Sequence, residues 1–368
     1  MKFVDEFRDP GLAKKLLNRI KDLTPDRGIN LMEVCGTHTV AIFKHGIKEL
    51  LPERVNLLSG PGCPVCVTPM ETIDRAIALA GLPGIIFTTF GDMMKVPGSS
   101  FSLEEAKAQG ADVRIVYSSL DVLEIAKGNP KKKIIFFGIG FETTSPSIAC
   151  TLLKAKKERI KNFFLLPAHK LIPPAMKAIL KDKEVNLAGF ISPGHVSTII
   201  GSRPYEFISK EFGTPCVISG FEPLDVLQSI YMLLLQIREE RPRVEIQYRR
   251  CVKPEGNIKA QEELYEVFEV SDSPWRGLGI IPNSGLRLRK EFSSFDAERV
   301  FDIQIESGPE PEGCLCGEIL RGIRIPVECS LFVKKCTPEN PVGPCMVSSE
   351  GTCATYYKYH GRKGYERG

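Results

Sequence analysis

Cys35-Gly36-Thr37-His38 sets a thiol and an imidazole three residues apart, within reach of one turn of backbone. An apolar strand pattern, Ile29 to Val34, runs into it, and a helical pattern, about Val40 to Leu51, leaves it. A cysteine at such a junction meets the unsatisfied N–H groups and the positive dipole end of the helix. Both favour the thiolate, the form that attacks or binds metal. His38 can supply a proton or a second ligand from the same turn. Taken alone, the run has a plainer reading as a small buried filler beside a threonine N-cap. Two further groups of thiols argue for chemistry.

Cys63-Pro64-Val65-Cys66 has the C-x-x-C spacing that lets two thiols close a disulfide or share a metal. Pro61, Pro64 and a helix starting near Thr68 are expected to lower the pKa of the first thiol. Half of a zinc site is the rival, but no second C-x-x-C exists to complete it. The third group is Cys314-x14-Cys329-x6-Cys336-x16-Cys353, with Cys316 and Cys345 as extras among Gly, Pro, Ser and Thr. Such loops wrap an inorganic core better than they bury apolar side chains. Four thiolates fit structural zinc or a [4Fe–4S] cluster, and spacing alone does not choose. The lack of paired knuckles favours iron–sulfur, as does the electron source a cluster would give the dithiol.

With 368 residues the chain is expected to form two or three domains. Its 49 basic and 45 acidic residues are dispersed, so neither nucleic acid nor a membrane surface is an expected partner. Met1 to Glu6 has no signal-peptide core, and the longest strongly apolar run, Ile230 to Leu235, is far short of a membrane span. A cytoplasmic location is therefore expected. Twelve cysteines there argue for metal or redox work rather than a disulfide framework, with the isolated Cys150, Cys216 and Cys251 as filler.

The elements that must position these groups alternate strand and helix. An amphipathic helix at 12–21 is followed by strands near 29–34, 55–59, 84–90 and 113–118, then by a second run near 133–139, 163–167, 187–191 and 215–219. Apolar strands alternating with helices predict parallel sheets covered on both faces. The expected architecture is α/β: two tandem parallel-sheet domains, 24–128 and 129–241, facing a cleft, plus an irregular iron–sulfur domain from 1–23 and 242–368. Ligands of such sheets bind at the carboxyl ends of strands, where the Cys35 turn, the C-x-x-C loop and three of the five histidines fall. Gly138-Ile139-Gly140 does not continue into a dinucleotide fingerprint, and no Walker A sequence occurs. Glu142 and Thr143 are candidates for positioning a ligand or capping a helix. His169 and His195 are candidate proton donors or structural groups, and Asp92 orients His38 or caps a turn. His45 and His360 are read as non-chemical.

Cys35-Gly-Thr-His-Thr39, Gly60-Pro-Gly-Cys-Pro-Val-Cys66, Ser192-Pro-Gly-His-Val-Ser-Thr-Ile-Ile-Gly201 and the tail spacing together resemble the HypD family of hydrogenase maturation factors, along nearly the whole chain. The resemblance implies a scaffold on which the Fe(CN)2CO group of [NiFe]-hydrogenase is built. It implies Cys35 as iron ligand with His38 beside it, Cys63 and Cys66 as a redox thiol pair, and Cys314, Cys329, Cys336 and Cys353 as ligands of a [4Fe–4S] cluster. The implied partners are a HypC-type small chaperone sharing the iron and a HypE-type cyanide donor, with a monomer before they bind. From the residues themselves two rivals stand: a cluster-linked disulfide reductase, which leaves Cys35 and His38 idle, and a zinc-stabilised binding module.

Overall fold

The computed structural model describes residues 5–359; Met1 to Val4 and His360 lie outside the described residues. Its strands are β1 (Ile29–Glu33), β2 (Val55–Ser59), β3 (Ile85–Thr89), β4 (Val113–Ile115), β5 (Lys133–Gly138), β6 (Phe163–Pro167), β7 (Gly189–Pro193), β8 (Cys216–Ser219), β9 (Val244–Ile246), β10 (Phe268–Trp275) and β11 (Gly279–Leu288). They form one five-stranded sheet, ordered β2-β1-β7-β8-β9, and one four-stranded sheet, ordered β4-β3-β5-β6, with every pairing parallel. The α/β class with parallel sheets is as expected.

The division of strands between the sheets is not the tandem one. After β2 the chain leaves the first sheet, builds the whole of the second, and returns with β7, which docks directly on β1 in the register Leu31↔Gly189, Met32↔Phe190, Glu33↔Ile191. No break at residue 128 separates two sheets, since β3, β4, β5 and β6 belong together. The physical reason is that buried parallel strands are apolar on both faces and carry no mark of their neighbours.

The region after 242 also divides differently. β9 continues the first sheet by pairing with β8, and the helix Ile258–Val267 packs on the helix Ser145–Lys157. The stretch around Pro274 to Leu288, punctuated by Gly, Pro and Ser, is the antiparallel hairpin β10–β11, seated on the helix Ile172–Lys181. The opening helix, Pro10–Leu23, packs on Pro223–Arg238 of the first sheet's cover rather than on the tail. Its first turn is capped by Asp9, whose side chain accepts from the Leu12 N–H at 2.7 Å. Only the segment from about 301 onward is irregular, with short helices at Cys316–Leu320 and Thr352–Tyr359.

Strand alternation sorts the core. On β5, Ile135 and Phe137 join the apolar cluster that contains Leu31, Phe190 and the tail cysteines, while Ile134 and Phe136 face a second cluster closed by Phe268 and Leu288 of the hairpin. Among the described residues, no helix is long and apolar enough to cross a membrane.

Candidate functional site

Strand β1 lies between β2 and β7, so its carboxyl end is held from both sides. Cys35 follows as the N-cap of the helix Gly36–Lys44, in extended conformation. Glu33, buried at 1% exposure, folds back along this turn. One carboxylate oxygen accepts the Cys35 N–H at 2.9 Å and the other accepts the Thr39 hydroxyl. The backbone N–H groups of His38 and Thr37 bond to the Cys35 thiol. These contacts place the thiol as expected but do not make it a thiolate. Burial pushes its pKa up to about 12, and the charges of Glu350 and Glu33 push the same way. Desolvation outweighs the helix terminus, so deprotonation of Cys35 needs a cation, and a metal that binds there displaces the proton.

His38 is fully buried, donates from Nε2 to the Gly220 carbonyl at 2.9 Å, and stacks on Phe221. Burial lowers its pKa to about 4, so the ring is neutral. Asp92 does not orient it. That carboxylate sits in the turn Gly91–Met93 and accepts from the Ser348 hydroxyl at 3.0 Å, tying the turn to the tail.

The C-x-x-C loop lies directly against this turn. Gly36 N–H donates to the Gly62 carbonyl at 3.0 Å, and a Cβ on Gly62 would come within 2.5 Å of the Cys35 Cα. Gly36 meets the tail as closely: a Cβ there would lie 2.5 Å from that of Glu350. Gly62→Ala is therefore expected to cost about 1–3 kcal/mol through forced backbone movement. Denaturant unfolding measures this, and a stability equal to the native protein's would show the approach is not obligatory. Within the loop, the Cys66 N–H donates to the Cys63 sulfur at 3.3 Å. The helix that follows begins at Met70.

The tail brings its six cysteines, Cys314, Cys316, Cys329, Cys336, Cys345 and Cys353, around one small cavity of about 10 Å3. Cys316 and Cys345 sulfurs stand 2.7 Å apart as free thiols. Cys345 is also in hydrogen-bonding contact with Cys353 and with Cys66. The Cys66 thiol lies 3.9 Å from the Pro344 carbonyl, and burial raises its pKa well above the ordinary value. Thiols from two distant parts of the chain thus meet in a continuous run. Val342 N–H donates to the Cys336 sulfur at 3.3 Å, a contact that stabilises thiolate charge at iron–sulfur ligands. Among the described residues, no three His, Cys, Asp or Glu side chains are grouped to hold a single metal ion. Six thiols spread around one cavity instead suit a polynuclear group, whose ligands stand on separate metal atoms.

The Cys35 turn opens on a cleft of about 220 Å3 that also receives Pro64, Thr143, Thr144, His195 and Glu350. Loops from both sheets and from the tail therefore converge. His195, exposed at this cleft, stacks on Phe221 at 3.9 Å. Glu350 accepts the Thr37 hydroxyl at 2.6 Å. Neither Glu33 nor Glu350 was singled out from sequence. Glu33 had a signal, an acid ending a buried strand two residues before the cysteine. Glu350 had none, being 313 residues from its partner.

Two expected candidates lie elsewhere. Glu142 is buried and caps a different helix, accepting the Ile172 N–H at 3.0 Å. His169 is buried against Phe268 of the hairpin, and burial lowers its pKa to about 3. Burial raises the Glu142 pKa to about 8. A carboxyl raised on folding stabilises fully below its unfolded value and loses that contribution as pH rises through the folded one. Between about pH 5 and about pH 9, the native protein is thus expected to lose more thermal stability than Glu142→Gln does. Equal slopes in thermal denaturation would remove Glu142 from the balance. The slope is reduced rather than abolished, because Glu33, raised to about 7, remains.

The family model HypD, described as the hydrogenase formation hypA family, matches residues 11–360. The hydrogenase maturation factor HypD of Azotobacter vinelandii is 50% identical over 367 residues, covering 98% of this chain and 97% of that protein. HypD2 of Bradyrhizobium diazoefficiens is 48% identical over 368 residues, with 98% and 97% covered. HypD of Escherichia coli is 46% identical over 366 residues, with 98% of each covered. Since the matched span takes in the Cys35 turn, the C-x-x-C loop and the whole cysteine tail, the chain belongs to the HypD family and is a hydrogenase maturation factor.

Proposed function

We propose that this maturation factor is the scaffold on which the Fe(CN)2CO group is assembled, and that its thiols form an electron path into that site. The observation that carries the reading is the run of sulfur contacts from Cys63 and Cys66 through Cys345 to Cys316 and the tail cavity. Cys35 holds ferrous iron as cargo in the cleft, sharing it with a cysteine of a HypC-type partner, while a HypE-type partner supplies cyanide. Thiolate suits low-spin ferrous iron carrying such strong-field ligands. The wall of the cleft formed by Thr143, Thr144 and His195 offers hydroxyl and imidazole groups to the diatomic ligands.

Cys314, Cys329, Cys336 and Cys353 would hold a [4Fe–4S] cluster, and Cys316 and Cys345 are left to each other by their 2.7 Å contact. Such a cluster supplies single electrons. As a dithiol, Cys316 and Cys345 reduce the Cys63–Cys66 disulfide by exchange through Cys345 and Cys66: the Cys63–Cys66 bond breaks, a Cys316–Cys345 bond forms, and two electrons and two protons pass between the pairs. The rival disulfide reductase uses the same run but gives Glu33, Cys35 and His38 no task.

The test is infrared spectroscopy of the protein purified anaerobically with its small partner. Bands from bound CN and CO are the expected result, and their absence from an iron-loaded complex would sink the scaffold reading.

A further inference from the structure

The carbonyl that receives the His38 proton is itself held by side chains behind it. A carbonyl oxygen only accepts, so the 2.9 Å contact with Gly220 puts the ring proton on Nε2 and the lone pair on Nδ1. That Nδ1 is buried and has no hydrogen-bond partner among the described residues. The Gly220 carbonyl also accepts the Ser219 hydroxyl at 2.8 Å, and the Gly220 N–H donates to Oε1 of Gln247 at 3.0 Å. Gln247 then donates from Nε2 to Asp225 at 2.9 Å and to Gln228 at 3.0 Å. Asp225 has no exposed surface; it accepts two N–H groups of Arg250 and the Glu222 backbone N–H.

Arg250 stacks in turn on Phe7 and Tyr248, 3.9 and 4.4 Å from their ring centres. A Cβ on Gly220 would come within 2.3 Å of an Asp225 oxygen, so the carboxylate packs against that peptide. A fully buried carboxylate is costly to desolvate, and this one, held by Arg250 and the Glu222 N–H, holds Gln247 and packs against the Gly220 peptide. Hydrogen bonds to an imidazole's partner fix its tautomer in the way that outer groups do for metal-site histidines.

We infer that Gln247 and Asp225 are positioning residues for His38: by fixing the Gly220 peptide they hold the ring as the Nε2–H tautomer and keep a bare Nδ1 lone pair beside the Cys35 turn. The inference deepens the reading of Cys35 as the iron-holding residue and rests on it, since an acceptor nitrogen next to that turn serves iron handling.

The test uses the full chain with 15N-labelled histidine, read by long-range proton–nitrogen correlation of the ring signals, with His38→Gln to assign them. The native protein is expected to show His38 protonated on Nε2 and bare on Nδ1. In Gln247→Leu and Asp225→Asn that single pattern gives way to a tautomer mixture. The Cys35-dependent iron, taken as the amount lost in Cys35→Ala after anaerobic purification, falls several-fold, with the number of titratable thiols unchanged. A native His38 protonated on Nδ1 overturns the inference without any variant. So does an unchanged ring pattern in folded Gln247→Leu, or a changed pattern with iron retention intact. Should the native protein retain no more iron than Cys35→Ala does, the role given to Cys35 has failed, and the ring pattern still decides for or against the network.

Discussion

Cys35→Ala protein, purified anaerobically with its small partner, is expected to show no infrared bands from bound CN or CO, while its tail iron stays native and its thiol content falls by one. The effect is complete rather than partial because the turn holds no second thiolate, and the neutral His38 Nδ1 does not replace an anionic sulfur. The Thr37 hydroxyl is bonded to Glu350, the Thr39 hydroxyl to Glu33, and the His38 Nε2–H to Gly220. Cys35→Ser tests the same point more sharply. A hydroxyl fits the space but is a hard, weakly acidic donor, unsuited to iron that carries strong-field ligands. Bands that persist at native intensity in either variant would move the iron away from this turn and leave the reductase reading stronger.

Cys345→Ser is expected to separate the two steps that the proposed electron path couples. Tail iron and sulfide stay near native amounts, while reduction of the Cys63–Cys66 disulfide by a chemical electron donor falls to background. The reasoning is geometric. Cys345 is in contact with Cys66 on one side and with Cys316 on the other, at 2.7 Å, so it is the sulfur through which an exchange step passes. Serine conserves the volume of a fully buried site but cannot form a mixed disulfide. By contrast, Cys329→Ser and Cys336→Ser are expected to lose tail iron outright. Metal analysis and a count of free thiols after anaerobic reduction distinguish the patterns. Loss of iron in Cys345→Ser with retention in Cys336→Ser would exchange their assignments.

The cysteine motifs of this protein were readable before its architecture. Cys35-x-x-His38, Cys63-x-x-Cys66 and the tail spacing are local patterns, and the strand ends that carry the first two came from the alternation of apolar strands with helices. The partition of those strands was not readable. Nothing in Ile85–Thr89 or Gly189–Pro193 tells a buried parallel strand which sheet to join, and the sheets interleave where a tandem division was expected. The hairpin β10–β11 was missed for a related reason: Pro274, Gly279 and Gly285 read as punctuation, while their strands are fixed by pairing with each other.

Ionisation states were the second failure of local reading. A helix terminus suggested a thiolate at Cys35, but protonation there is set by how completely the tail and the second sheet exclude water, a property of the closed fold.

The amino-acid order by itself determined the thiol groups, the glycines that permit close approach, and the α/β class, because each depends on residue type and short spacing. Tertiary structure alone decided that Glu350 reaches the Cys35 turn, that Cys345 bridges the loop and the tail, and that Asp225 and Gln247 stand behind His38. Those contacts join residues brought together only when two sheets and an irregular tail pack against one another, and no local pattern encodes which distant side chains will share a buried space.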